Sequence, residues 1–283
     1  MFDLAIIGAG PAGATLARLL GDRYRILLVD RRRLDAQADD ASADDMSRTK
    51  CCGGLLAPDA QRMLSRFGLG LPKSVLVEPQ LFVVRAVDIP RRLERYYQRY
   101  YINMDRHSLD RWLVSLVPPA VDLRLGCQFK SYETEQDGFR IRLVQSGGSV
   151  AETARIVVGA DGAASRVREQ FEGPCCPPQT CFALQEWVEA DGSQPYFSAL
   201  FDPEITDYYC WTIPKGDRLL IGAALPPRDG TAGRFSLLKE RLKALGVRFG
   251  STIRHEGTFL RRPRSTRHLS AGGNGIALVG EAG

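Results

Sequence analysis

Three groups of residues in this 283-residue chain have types and spacings suited to chemistry. The first is Gly8-Ala9-Gly10-Pro11-Ala12-Gly13, followed by Asp30 at the end of Ile26-Leu27-Leu28-Val29-Asp30. Glycines at 8, 10 and 13 stand at the spacing of a dinucleotide fingerprint, and here they separate a short apolar run from a helical pattern. Gly8 permits the tight turn, Gly10 leaves room for a pyrophosphate, and Gly13 lets the helix lie close to the sheet. The helix that begins at Pro11-Ala12 then turns its unpaired N–H groups and the positive end of its dipole toward the diphosphate. Asp30 is placed to accept hydrogen bonds from adenosine ribose hydroxyls and to repel a 2′-phosphate. Arg31, Arg32 and Arg33 follow directly and can hold such a phosphate, so this motif alone leaves FAD and NAD(P) both open. The second group is Lys50-Cys51-Cys52-Gly53-Gly54, two thiols beside paired glycines whose backbone can lie against a flat ligand or form an ordinary turn before a helix. The third is Asp161-Gly162, delivered at the end of the apolar run Ile156 to Ala160, with Ser165, Arg166 and Arg168 on the helix that follows. The carboxyl ends of parallel strands are where an open α/β sheet binds its ligand.

Length and composition bound the elements that must position these groups. At 44% hydrophobic residues the chain can bury a large core, with room for two domains or one interrupted by insertions. No run is long enough for a membrane span, and the N-terminus lacks a basic flank before a cleavable apolar stretch, so a cytoplasmic location is expected. Cysteines at 51, 52, 127, 175, 176, 181 and 210 are an odd number without an export signal, which argues against a disulfide framework. Neither Cys51-Cys52 nor Cys175-Cys176 has the spacing of a chelating turn, so no metal is expected. The formal net charge of +5 comes largely from arginine clusters at 91–99 and 254–267. Such clusters are solvated faces or contacts with an anionic lipid surface; no motif supports nucleic-acid binding.

In chain order, 34–49 is rich in Asp, Ala and Ser and is expected as a loop. Pro58 opens a helix carrying Met63, Leu64 and Phe67 that Gly68 ends. Residues 74–89 read as one or two strands stopped by Pro90. Tyr96, Tyr97, Tyr100 and Tyr101, set among Arg92, Arg95 and Arg99, suit a strand edge, a stacking surface or a pocket wall. Asp105 is placed to N-cap a helix with Leu109, Trp112, Leu113 and Leu116 on one face, so Arg106 projects from its first turn. Residues 121–125, 127–134 and 139–145 read as three successive strands. A second sheet is expected within 171–225, then a helix over 233–246 and a crossover at 257–268.

Gly8 to Asp30, together with Gly159-Ala160-Asp161-Gly162-Ala163-Ala164-Ser165-Arg166-Val167-Arg168, resembles the flavoprotein group that includes aromatic hydroxylases, flavin halogenases and geranylgeranyl reductases. Gly275-Ile276-Ala277-Leu278-Val279-Gly280-Glu281-Ala282-Gly283 is similar to the group's third signature, with Glu281 where the group usually has Asp. Lys50 to Gly54 resembles the Cys-Gly-Gly segment beside the flavin in geranylgeranyl reductases, and Tyr208 to Ala224 looks like their substrate-domain hairpin. Tyr209-Cys210-Trp211-Thr212-Ile213-Pro214 also approaches the Trp-x-Trp-x-Ile-Pro segment of flavin halogenases, with Tyr209 replacing the first Trp.

The resemblance implies FAD as cofactor and an α/β fold: a doubly wound FAD-binding Rossmann-like domain (1–72, 102–172 and 268–283) with an inserted mixed-sheet substrate domain (73–101 and 173–267), and the isoalloxazine between them. The implied cofactor residues are Gly8, Gly10, Pro11, Ala12, Gly13, Asp30, Arg31, Gly53, Gly54, Arg106, Asp161, Gly280 and Glu281. The expected reaction is reduction of a carbon–carbon double bond in an isoprenoid-like apolar substrate by hydride from reduced flavin, with Cys51, Cys52 or Tyr209 as proton donor. A flavin monooxygenase or halogenase is the alternative, and a non-catalytic FAD or lipid carrier is the alternative of another class. Only one fingerprint occurs, so electrons are expected from transiently bound NAD(P)H or a small redox protein. In this group a helix follows the third signature, which implies further chain after Gly283.

Overall fold

The computed structural model describes residues 1–34, 50–173, 180–192, 194–226 and 230–283; the loop expected through 35–49 and the Cys175-Cys176 pair lie outside the described residues. The elements in chain order are β1 (Phe2–Ile7), α1 (Pro11–Leu20), β2 (Ile26–Asp30), β3 (Leu55–Leu56), α2 (Pro58–Arg66), β4 (Leu81–Asp88), β5 (Leu93–Asn103) and α3 (Arg106–Ser115). They continue as β6 (Asp122–Leu125), β7 (Cys127–Glu135), β8 (Gly138–Gln145), β9 (Gly148–Gly159), α4 (Arg166–Glu172), β10 (Thr180–Ala190) and β11 (Phe197–Phe201). The last are β12 (Cys210–Lys215), β13 (Arg218–Leu225), α5 (Thr231–Ala244), β14 (Phe249–Arg261), β15 (Gly272–Gly273) and β16 (Ile276–Leu278).

Two compact units result: Met1–Thr49, Leu109–Gln179 and Arg261–Gly283 form the first, and Lys50–Ser108 with Thr180–Leu260 forms the second. The sequence places 50–72 and 102–108 in the first domain; the structure groups them with the second unit. Backbone pairing explains the difference. β3 pairs with β5 through Leu55 and Asn103, the Met104 N–H donates to the Gly54 carbonyl at 2.9 Å, and the Asp105 N–H donates to the Val75 carbonyl at 2.9 Å. A two-residue strand leaves no periodic trace that could foretell its partner.

The first unit is the doubly wound half. Its parallel strands run β16-β9-β1-β2-β6, with β15 antiparallel on the outside of β16. β1 and β2 are near-continuous apolar runs because both of their faces are covered, as crossover helices require. The first half of β9 pairs antiparallel with β8, and its last residues run parallel between β1 and β16. The strands expected at 121–145 are present but do not form one meander, because β6 pairs with β2 while β7 and β8 form a ribbon onto β9. Ile7, Val29, Phe129, Ile141, Val157 and Leu278 belong to one core under these strands.

The second unit is a mixed sheet in the order β14-β10-β13-β12-β11-β4-β5-β3. β13 shows how its two faces are divided. Ile221, Ala223 and Leu225 pack with Phe235, Leu238 and Leu242 of α5, while Leu220 and Ala224 pack with Trp211, Ile213, Ala183 and Leu81 on the other face. Between those two, Gly222 leaves the space that the Trp211 indole fills. The strand pattern expected from residue 74 starts only at Leu81, after a 3-10 turn at Lys73–Val75. The crossover expected at 257–268 begins as the end of β14, through Arg261, and includes a 3-10 turn at Thr266–His268; the chain passes from the second unit to the first between Leu260 and Arg261. Among the described residues no helix is long and apolar enough to cross a membrane, and no group of His, Cys, Asp and Glu could hold a metal.

Glycines in this fold divide into those that carry close packing and those that do not. A Cβ on Gly13 collides with the Gly8 carbonyl, whereas one on Gly233, in the first turn of α5, meets nothing within 4 Å. Gly13→Ala is therefore expected to destabilise the protein by about 1–3 kcal/mol, and Gly233→Ala to be neutral or stabilising by up to about 1 kcal/mol. The urea midpoints of the two variants check this.

Candidate functional site

β1, β9 and β16 end side by side, and the three sequence signatures meet at their carboxyl ends. The Ala160 N–H donates to the Ile7 carbonyl at 2.8 Å, and the Val279 N–H donates to the Gly159 carbonyl at 2.9 Å. Gly8 takes φ +108° with its α-carbon against the Ala160 carbonyl, so a side chain there has neither room nor a relaxed backbone. A Cβ on Gly280 would lie 3.0 Å from the Ala12 Cβ, so the third signature reaches the first turn of α1. Gly10 is different. The nearest atom of the described residues to a Cβ built there is Arg32 Nη2 at 4.0 Å, so among the described residues the space in front of the α1 N-terminus is open. Pro11 at the start of α1 brings no N–H, and the helix has no side-chain cap. The N–H groups of its first turn have no intrahelical acceptors.

Asp30 is 7% exposed at the end of β2. Its carboxylate accepts hydrogen bonds from the Ala9 N–H at 2.8 Å, from the Arg32 N–H at 2.8 Å, and from Arg32 Nε and Nη2 at 3.2 and 3.1 Å. Arg32 Nη1 also donates to Asp110 Oδ2 at 2.7 Å, and Asp110 is fully buried in α3. Burial works against the Arg32 charge, but hydrogen bonds and the charges of Asp30 and Asp110 hold its pKa above the ordinary value. Arg32 thus binds this carboxylate pair, while the expected Arg31 side chain is exposed. Arg32 lies in the bend that follows β2 and turns back onto the Asp30 carboxylate. Asp110 was the missing signal, a carboxylate beside Leu109 in the buried part of a helix, where a charge requires a partner.

Asp161 follows β9. Its Oδ2 accepts from the Arg166 N–H at 2.8 Å and the Val167 N–H at 3.4 Å, at the start of α4, where Ser165 Oγ accepts from the Arg168 N–H at 3.0 Å. Oδ1 is buried without a hydrogen-bond partner among the described residues. Burial pushes the Asp161 carboxyl above its usual range, against the hydrogen bonds from Ser165 and these amides. Arg168 spans to the last signature, donating to the Gly283 carbonyl at 2.8 Å and the His268 carbonyl at 2.9 Å, while Glu281 is exposed.

The second unit holds the other expected residues: Cys51, Cys52, Gly53, Gly54, Arg106 and Tyr209. Glycine is required at 53 and 54 by local packing. A Cβ on Gly53 would lie 2.7 Å from Ile213 Cδ1, and Gly54 takes φ +61° against the Met104 carbonyl and the Lys215 ammonium. Lys215 ends β12 almost fully buried and donates to the carbonyls of Gly54 and Met104 at 3.0 and 2.9 Å. Burial lowers its pKa to about 8, opposed by the nearby Cys52 and Asp105. Sequence reading had no signal for Lys215 beyond its place in the hairpin.

Cys51 Sγ accepts from Gln185 Nε2 at 3.1 Å; the same amide donates to Glu256 at 3.2 Å and accepts from Trp211 Nε1 at 3.2 Å. Burial, with the Glu256 charge, pushes the Cys51 thiol up to about 12, so it stays protonated at neutral pH. Burial likewise pushes the Tyr209 phenol up to about 12. Cys52 stands close to Cys51, Tyr209 and Lys215. The five described cysteines are unbridged.

No family profile matches the chain. Protein CbrA of Escherichia coli (strain K12) is 38% identical over 281 residues, covering 99% of this chain and 77% of that protein. Protein CbrA of Shigella flexneri serotype 5b (strain 8401) is also 38% identical over 281 residues, covering 99% and 74%. Among solved structures, a geranylgeranyl bacteriochlorophyll reductase-like protein of Thermoplasma acidophilum superposes with a TM-score of 0.78 at 18% identity, covering 99% of this chain and 71% of that one. PqsL of Pseudomonas aeruginosa, a probable FAD-dependent monooxygenase, gives 0.69 at 21% identity over 99% and 78%. The flavin-dependent halogenase CmlS gives 0.74 at 14% identity over 99% and 53%. The chain shares the fold of these proteins.

Arg32→Ala removes a guanidinium from two buried carboxylates, Asp30 and Asp110, and is expected to cost about 3–5 kcal/mol in urea unfolding, with much of the loss recovered by adding Asp110→Asn. Lys215 binds its proton less tightly folded than at its ordinary value of 10.5. Between pH 8 and 10.5 the unfolded chain therefore holds more protons, and stability owed to this group rises with pH. The unfolding free energy of the wild type minus that of Lys215→Met is expected to climb by up to about 3 kcal/mol across that window. A flat difference would place the ammonium in a solvated setting.

Proposed function

The chain belongs to the family of Protein CbrA, and from that premise we propose that it is an FAD-dependent oxidoreductase. The observation that carries this reading is the convergence of three signatures at one sheet edge, with open space in front of Gly10 where the other fingerprint glycines are packed against backbone. A pyrophosphate fits that space, next to the first turn of α1 and the Arg32 guanidinium. Arg32, itself held by Asp30 and Asp110, would orient the adenosine half, and the unpartnered Asp161 Oδ1 would accept a hydrogen bond from a ribityl or ribose hydroxyl. FAD, when bound, supplies hydride or oxygen chemistry that no side chain of the chain can perform.

The favoured reaction is reduction of a carbon–carbon double bond in an apolar, isoprenoid-like substrate. Support comes from the second unit. Its sheet face away from α5 is lined by Leu81, Ala183, Trp211, Ile213 and Ala224, with Tyr209 and Leu55 at its margin. Beside this face stand a thiol and a phenol that remain protonated at neutral pH, Cys51 and Tyr209, either of which can give a proton to a carbon after hydride arrives. Lys215 holds the carbonyls of Gly54 and Met104, and so the segment that carries both thiols, in one position. Reducing equivalents would come from NAD(P)H or a small redox protein. A monooxygenase or halogenase is the second reading, favoured by the folds shared with PqsL and CmlS.

The absorption spectrum of the purified protein provides the test. Flavin bands are expected, bleached by NADPH or dithionite without oxygen and restored by a polyprenyl alkene. Restoration only by oxygen would favour the second reading, and a colourless protein that takes up no added FAD would end both. Gly10→Val fills the open space and is expected to lower flavin content more than tenfold while the circular dichroism is unchanged. Cys51→Ala is expected to retain flavin and slow alkene-dependent reoxidation by about 10²-fold.

A further inference from the structure

The β4–β5 edge of the second unit carries a surface that the proposed chemistry does not use. Residues 93–100 of β5 are all exposed, although a strand in a sheet ordinarily hides one face. β3 reaches only Ile102 and Asn103, so among the described residues no strand lies outside β5 from Leu93 to Tyr101. The exposed side chains are large and apolar or aromatic: Phe82 at 57%, Tyr96 at 55%, Leu93 at 51% and Tyr97 at 49%. Phe82 and Tyr100 stack with ring centroids 5.0 Å apart.

The charges on this edge are one-sided. Between Asp88 and Arg99 the chain has four arginines and two carboxylates, and both carboxylates are engaged. Asp88 accepts from Arg91 at 2.7 Å, and Glu94 accepts from buried Arg85 at 2.9 and 3.0 Å and from the Tyr96 hydroxyl. Among the described residues Arg92, Arg95 and Arg99 have no carboxylate partner; the Arg99 guanidinium lies 5.4 Å from the Tyr101 ring centroid. Strand alternation puts Leu93, Arg95 and Tyr97 on one face, and the register shifts after Gln98, where Arg99 and Tyr100 stand opposite Phe82.

We propose that this β4–β5 edge is a contact surface for an anionic lipid bilayer. Arginine and tyrosine side chains place an apolar stem or ring at the acyl boundary and a polar tip among phosphates, which is the composition found here. The free N–H and C=O groups along β5 can be satisfied only in the hydrated headgroup layer, so the edge rests at the interface and does not enter hydrocarbon. A second copy of the chain would bring like guanidinium groups together, and a nucleic acid would leave Leu93 and Phe82 without a matching partner. The inference stands apart from the flavin reading, because neither its residues nor its test involves the cofactor.

The test is co-sedimentation of the full chain with vesicles of phosphatidylcholine alone or with roughly one-third phosphatidylglycerol, at low salt and at about 0.5 M salt. Binding is expected to be at least about tenfold tighter on the anionic vesicles and to weaken with salt. The triple variant Arg92→Glu, Arg95→Glu and Arg99→Glu is expected to lose about a hundredfold in affinity. Leu93→Ser with Tyr97→Ser should lose about tenfold, and circular dichroism should be unchanged in both. Equal binding to both vesicle types, or full binding by the triple variant, overturns the proposal. It is also overturned if the charge variants abolish binding to poly(U) or a concentration-dependent dimer while vesicles are ignored.

Discussion

The close approach of α1 to the ends of β1 and β9 is the constraint on which the first unit depends. Gly13 rests on the Gly8 carbonyl, and Gly8 in turn rests on the Ala160 carbonyl. No side chain fits either gap, so the helix start is held where its unpaired N–H groups face the carboxyl edge of the sheet. Every other feature of that edge takes its position from this contact. β16 brings Gly280 against Ala12, β9 brings Asp161, and β2 brings Asp30 within reach of the Ala9 N–H. The same packing explains why Gly10 alone among the fingerprint glycines opens onto space.

Charge in the two units is handled by the same rule, that a buried ion must find fixed partners. In the first unit Arg32 bridges Asp30 and Asp110, so one guanidinium offsets two buried carboxylates. In the second unit Lys215 has no carboxylate within bonding distance among the described residues and is held by two backbone carbonyls, and its proton is correspondingly loose. An ammonium bound only to neutral acceptors is costly to keep charged away from water. That cost has a structural return, because both carbonyls belong to chain segments that must be kept beside the thiols.

The apolar face of the second sheet shows why its glycines and aromatics could not be interpreted separately. Trp211 packs into the place of the missing Gly222 side chain and donates to Gln185, which itself binds Cys51 and Glu256. A polar row thus lies within an otherwise apolar surface, and its members come from three strands and a loop. Such rows specify orientation more than they add affinity.

Local sequence determined whatever depends on neighbours in the chain: the strand–glycine–helix–strand–acid unit, the N-cap at Asp105, where the Ser108 N–H donates to the Asp105 carboxylate at 2.7 Å, and Pro58 at the start of α2. The strand character within 171–225 is local in the same way, because period and turn chemistry belong to neighbouring residues. Only tertiary structure decided that Arg32 and not Arg31 binds Asp30 and Asp110, that Lys215 lies under Gly54, and that Leu55–Leu56 joins the second unit. Each of those outcomes rests on a partner far away in the chain, Asp110, Met104 or Asn103, and a pairing between distant residues is chosen by packing and desolvation, which no stretch of sequence encodes by itself.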